Sequence, residues 1–448
     1  MLPKLFLALA FIATGLAAPA TDKAFVHPGL SHSAADLARV KAHVQAGDEP
    51  WMTGWYKLTN NTKSQLAYKP APEAGLCRGL NAGCKENYPH AYTDFAACYQ
   101  HAIRWKVSGD DRYADGAVTI LNAWSSTMKE FAGISPDRFL ASGIYGYQYA
   151  ECVELLRDYQ GFKPEDLTAA IALLTDIFWP ANKDFLENHV VQNHTYYWAN
   201  WDQANMASAL AIGVVADNRE IYNYALNYFY DGIGQGSIHH WLWKVYNKDG
   251  TAQVQESGRD QGHTMLDFAL MGHYLRTAFN QGTDLWGYKN NLILKGAEYA
   301  TKYNLGYDDV QFTPYLTINQ LGQVEWNQTV ISPSQRGDIR PIWEMYYNEY
   351  VVKRGLNAPY VQAYADLTRR NGSGAEGGGG NYSPNSGGYD QLGFGTLLYT
   401  LEGSVAIPGG SASSTKCNNG QGNGSGNGNC GNGQVKTTSA MPSATTGI

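Results

Sequence analysis

From about Ser33 to Tyr303 apolar residues recur at threes and fours, the spacing that puts them on one face of a helix. The segments SAADLARVKAHVQAG, TDFAACYQHAIRWKVSG, YGYQYAECVELLRDY, KPEDLTAAIALLTDIF and GRDQGHTMLDFALMGHYLRTAF all follow it, and Gly, Asp, Asn or Pro punctuate their connections. One hairpin is especially legible. In YTDFAACYQHAIRWKVSGDDRYADGAVTILNAW a helix stops at Gly109, Asp110 or Asp111 caps the next, and Tyr113, Ala114, Ala117 and Leu121 face inward. No short exact repeat is present, which disfavours a solenoid of the tetratricopeptide kind. The pattern predicts an all-α fold, an (α/α) toroid of about six to seven helical hairpins.

Downstream the period changes. From about Thr313 to Ile331 the residues alternate as strands do, so a small β insertion is expected there. Helical text resumes in RPIWEMYYNEYVVKRG, with Pro341 suited to a first turn, and continues through APYVQAYADLTRR. After a glycine-rich loop, GYDQLGFGTLLYTLEG reads as the last packed element. From residue 406 a Gly, Asn and Ser-rich tail lacks the apolar content for a core, and it has no terminal apolar segment of a lipid-anchor signal. At the other end, MLPKLFLALAFIATGLAAPA has the basic start, apolar run and small-residue exit of a signal peptide. The expected division is therefore a leader over 1–20, a toroid over 21–405 and a flexible tail over 406–448, in a secreted, extracellular protein.

Composition narrows the partners. A net charge of -7 argues against nucleic acid, so an anionic ligand must meet local positive charge. No stretch beyond the leader has the roughly 20 apolar residues that span a bilayer, so no membrane partner is expected. The chain carries 31 Tyr and 12 Trp, which suits sugar stacking or a large helical core equally. Cys77, Cys84, Cys98 and Cys152 lie apart from Cys417 and Cys430, which suggests two pairs and one pair without fixing their connectivity. Sequons at Asn60, Asn193, Asn327, Asn371, Asn381 and Asn423 fit a secretory route. No zinc-ligand spacing occurs, no metal or other cofactor is called for, and a monomer is expected.

Three segments carry polar groups that a core helix does not need. The first, VVQNHTYYWANWDQANMASALAIG, sets Asn193, His194, Asn200 and Asp202 among Tyr196, Tyr197, Trp198 and Trp201. The second is ESGRDQGHTML, which read as one helix puts Arg259 and His263 a turn apart on one face. The third is QRGDIRPIWEMYYNEY, with Arg336, Arg340, Tyr346, Tyr347 and Tyr350.

The stretch NHTYYWANWDQANMASALA resembles the Asn-His, Trp and small-apolar helix of the alginate lyase family. The hairpin RWKVSGDDRYADGAVTILNAW and the segment ESGRDQGHTMLDFALMG are similar to secreted members of the same superfamily. The resemblance implies an (α/α) toroid that cleaves a uronic-acid polysaccharide by β-elimination. That chemistry explains the residue types: the uronate carboxylate must be neutralised before its C5 proton is acidic enough to remove, and the leaving oxygen needs a proton. In the family Asn, His and Arg neutralise, while Tyr, or His with Tyr, acts as base and acid. Carried over residue by residue, the Asn-His pair matches Asn193 and His194 if one residue is inserted before Trp198, whereas a register anchored on Trp201 selects Asn200. A glycan on Asn193 would keep it out of a cleft, so Asn200 is preferred as neutraliser. His263 is expected to be functional, with Arg259 either catalytic or a strut paired to Glu256 or Asp202. The family's Arg and Tyr seven residues apart are not reproduced, because position 266 is Leu. Tyr346 is therefore expected to serve as base and acid with Arg340 beside it, Tyr347 and Tyr197 being rivals. Trp198, Trp201, Tyr197, Trp343 and Tyr347 are the candidates for lining sugar subsites.

Two other functions fit the same residues. A glycoside hydrolase on this toroid would use two carboxylates from Asp202, Glu256 and Asp260. A non-catalytic wall or glycan-binding protein would use the aromatic surface and the flexible tail. Mannuronan and glucuronan remain equally open as lyase substrates.

Overall fold

The computed structural model describes residues 23–319, 321–382 and 386–403. The leader and the tail, with Cys417, Cys430 and Asn423, lie outside the described residues. Among the described residues the chain is helical with three small two-stranded sheets. It opens with α1 (Ala34–Ala46) and α2 (Trp51–Thr59), then β1 (Gly75–Cys77). The legible hairpin follows as α3 (Pro89–Ser108) and α4 (Asp111–Thr127). After β2 (Glu130–Ala132) come α5 (Asp137–Leu156), α6 (Pro164–Leu173) and α7 (Trp179–Gln192), then α8 (Ala199–Val215) and α9 (Arg219–Asp231). A short α10 (Ile238–Trp241) leads to a hairpin of β3 (Lys244–Tyr246) and β4 (Thr251–Gln253), followed by α11 (Gln261–Asn280) and α12 (Tyr288–Asn304). The expected insertion is the antiparallel pair β5 (Tyr315–Ile318) and β6 (Val324–Gln328). The chain closes with α13 (Trp343–Tyr347), α14 (Pro359–Asn371) and α15 (Gly395–Leu398).

Two kinds of helix alternate. In α5 every residue from Phe139 to Leu156 is buried, and α8 and α11 are buried along nearly their whole length. Helices apolar or small on all sides belong inside, and these pack in the order α3, α5, α8, α11. By contrast α4 buries only Ala114, Ala117, Val118, Ile120, Leu121 and Trp124, and α9 is similarly one-sided. Each covers the inner helix before it, which makes the ring of hairpins. Asp110 caps α4 through the Arg112 N–H, and Gly109 ends α3 in the left-handed region, as the sequence pattern requires.

The inner helices approach closely because small residues meet. A Cβ on Gly143 of α5 would come 2.6 Å from the Ala204 carbonyl carbon in α8, so no larger residue fits without separating them. Disulfides Cys77–Cys84 and Cys98–Cys152 pin the N-terminal part; the second ties α3 to α5.

The chain departs from expectation at Pro341. Helix α13 begins only at Trp343, because Ile342 has extended φ, and it passes after one turn into a π-helix over Asn348–Lys353. The parallel pair β1–β2 and the β3–β4 hairpin were not expected either; three-residue strands leave too few positions for an alternation to show.

Candidate functional site

The inner helices all begin at the same end of the ring, and there a groove of about 740 Å³ opens. Tyr88 stands immediately before α3, Leu140 and Ile144 lie in the first two turns of α5, and His263 and Leu266 in those of α11. Arg340, just ahead of α13, and Asp390 close the groove on the far side. Helix N-termini present unpaired N–H groups and the positive end of the peptide dipole, so this end of the ring favours negative charge.

The segment that the pattern reads as one helix is broken by its own chemistry. Gln255–Gly258 forms a 3-10 turn, Asp260 is extended, and α11 starts at Gln261. Asp260 caps the helix by accepting the His263 N–H (2.8 Å) and also lies 2.7 Å from His263 Nδ1. Burial pushes the Asp260 carboxyl up, but the bonds from His263 and the charge of Arg259 outweigh it and hold the carboxyl below its usual range. Arg259 thus sits before the helix rather than on it, yet its Nη2 still donates to His263 Nε2 (3.1 Å). Since a guanidinium can only donate, His263 Nε2 accepts, and Nδ1 carries the proton toward Asp260. His263 remains about one third exposed, facing the groove.

Behind Arg259 lies a buried carboxylate. Arg259 Nη1 donates to Glu256 Oε2 (2.9 Å), and Glu256 Oε1 accepts from the Asn200 side chain (2.6 Å) and backbone (2.8 Å). Asn200 and Glu256 are both 0% exposed. Asn200 is therefore a support for Glu256, not a group presented to the groove, which corrects its expected role as neutraliser. Arg259 is the strut anticipated as one of its two readings, and its guanidinium also stacks 5.0 Å over Trp198. Beneath, burial and then the charge of Glu256 push the Asp267 carboxyl well above its usual range, so that it stays protonated beside Glu256.

The third segment divides. Arg340 lines the groove, pairing with Asp390 (3.0 Å) and donating to the Gly262 carbonyl (2.9 Å). Tyr346 does not join it. Its ring is 0% exposed among Phe268, Trp286 and Trp343, and its hydroxyl donates to the Phe268 carbonyl (2.9 Å). Trp343 and Tyr347 are buried with it, so all three are core residues rather than base or sugar platforms. Arg336 points away, to Asp308 and the Tyr303 carbonyl.

In the first segment, Asn193 and Thr195 both donate to Glu325 on β6, which fastens the β5–β6 hairpin beside the site. His194 Nδ1 lies 3.1 Å from His189 Nδ1, and burial, then the neighbouring His189, lower the His194 pKa from its ordinary value. Tyr197 is buried and pushed up to about 12 by that burial, and half-buried Trp201 packs with it on Phe185. Trp198, another of the expected sugar platforms, lies between the Arg259 guanidinium and the tilted ring of Trp326 on β6. The groove thus gathers His263 and Arg340 from the expected set, reaches Arg259 through His263, and leaves Asn200 and Tyr346 behind.

Two groove residues escape sequence reading. Arg78 follows β1 inside the Cys77–Cys84 loop; its guanidinium bonds the Tyr145 hydroxyl (3.1 Å) and lies 5.0 Å over the Tyr88 ring. It forms no ion pair among the described residues, unlike Arg340 and Arg259. Tyr88 brings its phenol to the same wall, with no hydrogen-bond partner for it among the described residues. The second groove tyrosine, Tyr382, turns its hydroxyl to accept the Gly377 N–H (3.0 Å). The available signal was slight: CRGLNAGC places an arginine beside a cysteine in a Gly-flanked loop. Among the described residues no three His, Cys, Asp or Glu side chains gather as a metal site.

The alginate lyase family model matches residues 62–310 of this chain. Solved structures share its fold. Alginate lyase A1-III from Sphingomonas species A1 is 13% identical, with 82% of this chain and 95% of that chain covered at a TM-score of 0.54. A tyrosine-to-phenylalanine variant of alginate lyase A1-III complexed with tetrasaccharide aligns with the same identity and coverage at 0.53. An alginate lyase from Bacteroides ovatus is 13% identical, with 84% and 100% covered and a TM-score of 0.52. No curated protein matches the chain.

Proposed function

The chain belongs to the alginate lyase family and is a polysaccharide lyase, and from that premise we propose that it cleaves a β-1,4-linked uronan, mannuronan or glucuronan, by β-elimination in the groove at the inner helix N-termini. The observation that carries this reading is Arg78, a guanidinium without an ion-pair partner among the described residues, facing a groove toward which helix dipoles point their positive ends. Arg78 and Arg340 neutralise the uronate carboxylate, and His263 adds a polar contact. His194 stands beside the groove lining, four residues before the Trp198 on which Arg259, the partner of groove-lining His263, rests. It takes the C5 proton on Nε2, the C5–H pair becomes the C4=C5 double bond, and the C4–O bond breaks. Tyr88 gives its phenolic proton to the leaving oxygen, the part first expected of Tyr346. Both groups then recover by proton exchange with water.

The division of labour is supported by the related alginate lyase A1-III, of which a tyrosine-to-phenylalanine and a histidine-to-alanine variant were each complexed with tetrasaccharide. The hydrolase reading is disfavoured by geometry, since Asp202 and Glu256 are both 0% exposed and bonded to protein partners. Secretion is supported by the leader pattern and by the two disulfides. Digestion of mannuronan, glucuronan and a neutral β-1,4-glucan, followed by ultraviolet absorbance, tests the reading. Absorbance should rise on one of the uronans and stay flat on the neutral polymer; a flat trace on both uronans would sink it.

A further inference from the structure

Beneath His194 runs a hydrogen-bond chain that the groove residues do not use. His194 Nδ1 faces His189 Nδ1 at 3.1 Å, and His189 Nε2 lies 2.6 Å from Asp202 Oδ1. Asp202 accepts two further bonds, from the Tyr228 hydroxyl (2.8 Å) and the Gly236 N–H (3.2 Å). The Tyr228 hydroxyl in turn accepts the Gly234 N–H (3.1 Å). His189 and Asp202 are 0% exposed, and the loop that covers them is glycine at the two points where any Cβ would collide with them, Gly234 and Gly236. A sealed, fully bonded acid and imidazole beneath a half-exposed histidine is more than that part of the fold needs for packing.

The donors and acceptors in this chain have only one consistent order if His189 is neutral. An ionised carboxylate donates nothing, so His189 Nε2 must carry a proton toward Asp202. A neutral His189 then offers a lone pair at Nδ1, and the group facing it, His194 Nδ1, must be the donor. That leaves the proton off His194 Nε2, an atom with no hydrogen-bond partner among the described residues. Nothing else around His194 sets this choice: Asn193 and Thr195 are turned to Glu325.

We infer that His189 and Asp202 are positioning residues that lock His194 as its Nδ1–H tautomer, keeping Nε2 unprotonated to accept the substrate's C5 proton. The inference deepens the proposed elimination and rests on His194 being its base. Asp202 acts through two imidazoles, so its loss changes a tautomer and not a substrate contact. In Asp202→Asn an amide N–H facing His189 Nε2 makes that atom an acceptor. His189 Nδ1 then becomes the donor, and His194 is driven to the Nε2–H form, which has no lone pair to offer.

Nitrogen NMR of the full-length protein with labelled histidines, assigned with His194→Gln, reads the tautomer directly. The wild type should show a protonated Nδ1 and an unprotonated Nε2 at His194; an Nε2–H tautomer there overturns the proposal whether or not any variant folds. On the uronan that the wild type cleaves, Asp202→Asn should lower kcat by about 100-fold or more, the scale of a general base, with KM little changed. Tyr228→Phe, which keeps the carboxylate and its bond to His189, should retain the tautomer and most of kcat. A folded Asp202→Asn that shifts the tautomer yet keeps wild-type kcat also overturns it. Full turnover in His194→Gln would instead bring down the assignment of His194 as base, leaving the tautomer result standing by itself.

Discussion

At the scale of single residues, burial separates the side chains that reach the groove from those that pack behind it. Arg78 is the sharpest case, because a guanidinium kept in a groove without an ion-pair partner among the described residues is ready to take a carboxylate. Arg78→Ala should lower kcat/KM for the uronan by roughly 100-fold or more, comparable to removing one preorganised donor from a charge-stabilising site, while thermal stability is nearly unchanged. Initial rates over a substrate series and a melting curve check both halves. Tyr346→Phe should do the reverse. It removes a buried hydroxyl that donates to the Phe268 carbonyl, so stability should fall by about 1–2 kcal/mol while turnover persists. His263 and Arg340 were legible in the sequence because a charged or titratable group at the start of an apolar stripe has few structural uses. Asn200 and Tyr346 were misread for a common reason. Whether a polar side chain meets the groove or a buried partner depends on which distant segment packs on it: Glu256 for Asn200, Phe268 for Tyr346.

At the scale of elements, helix starts decide the site. Asp260 breaks what periodicity reads as continuous, and the break lets Arg259 turn back onto His263 instead of projecting beside it. An N-cap aspartate three residues ahead of a helix residue was visible in RDQGH; the pull of the apolar stripe behind it concealed the stop. The inner pair α5 and α8 carries another constraint. Alanine is a better helix former than glycine by about 1 kcal/mol, yet at Gly143 its Cβ would press on the Ala204 backbone. Overpacking of this kind costs about 1–3 kcal/mol, so Gly143→Ala should lower the denaturant midpoint despite its propensity.

Helix α5 also holds Glu151, which accepts from the Ser31 backbone N–H and hydroxyl while Ser31 Oγ lies 2.7 Å from His273 Nδ1. The trio resembles a nucleophile triad in composition only: all three are buried, and the acid bonds the serine. Burial raises the Glu151 pKa to about 8, against the opposing pull of the Ser31 bonds. Its folded value lies above its unfolded one, so its contribution to stability is greatest below the ordinary carboxylate range and is lost as pH rises toward 8. Glu151→Gln keeps the Oε1 acceptor and removes that loss. Its melting temperature relative to wild type should therefore climb between pH 5 and pH 8; a flat difference across that range would show that Glu151 is not held protonated.

At the scale of the whole molecule, one arrangement unites fold and chemistry. A ring whose buried helices α3, α5, α8 and α11 all start at the same end concentrates helix N-termini there, so that in a chain of net charge -7 the groove, lined by Arg78 and Arg340 as well as Asp338 and Asp390, still has helix dipoles that favour the anionic ligand proposed above. Because that attraction is electrostatic and partly exposed, KM for a uronan should rise with ionic strength while kcat changes less, which a salt series would reveal. The ring itself was legible from the 3.6-residue period and the Gly and Asp stops, as was the β5–β6 insertion from its change of period. The groove was not, since it is assembled from segments as far apart as Arg78 and Asp390, and no local pattern records which helix ends meet.

The most direct test of the central claim is ultraviolet absorbance during digestion of mannuronan and glucuronan, read alongside new reducing ends. Elimination predicts that each cleavage leaves a double bond conjugated to the carboxylate, so absorbance and reducing ends should rise together on the preferred uronan. Reducing ends accumulating without absorbance would contradict the account, because the bond would then have been broken by water.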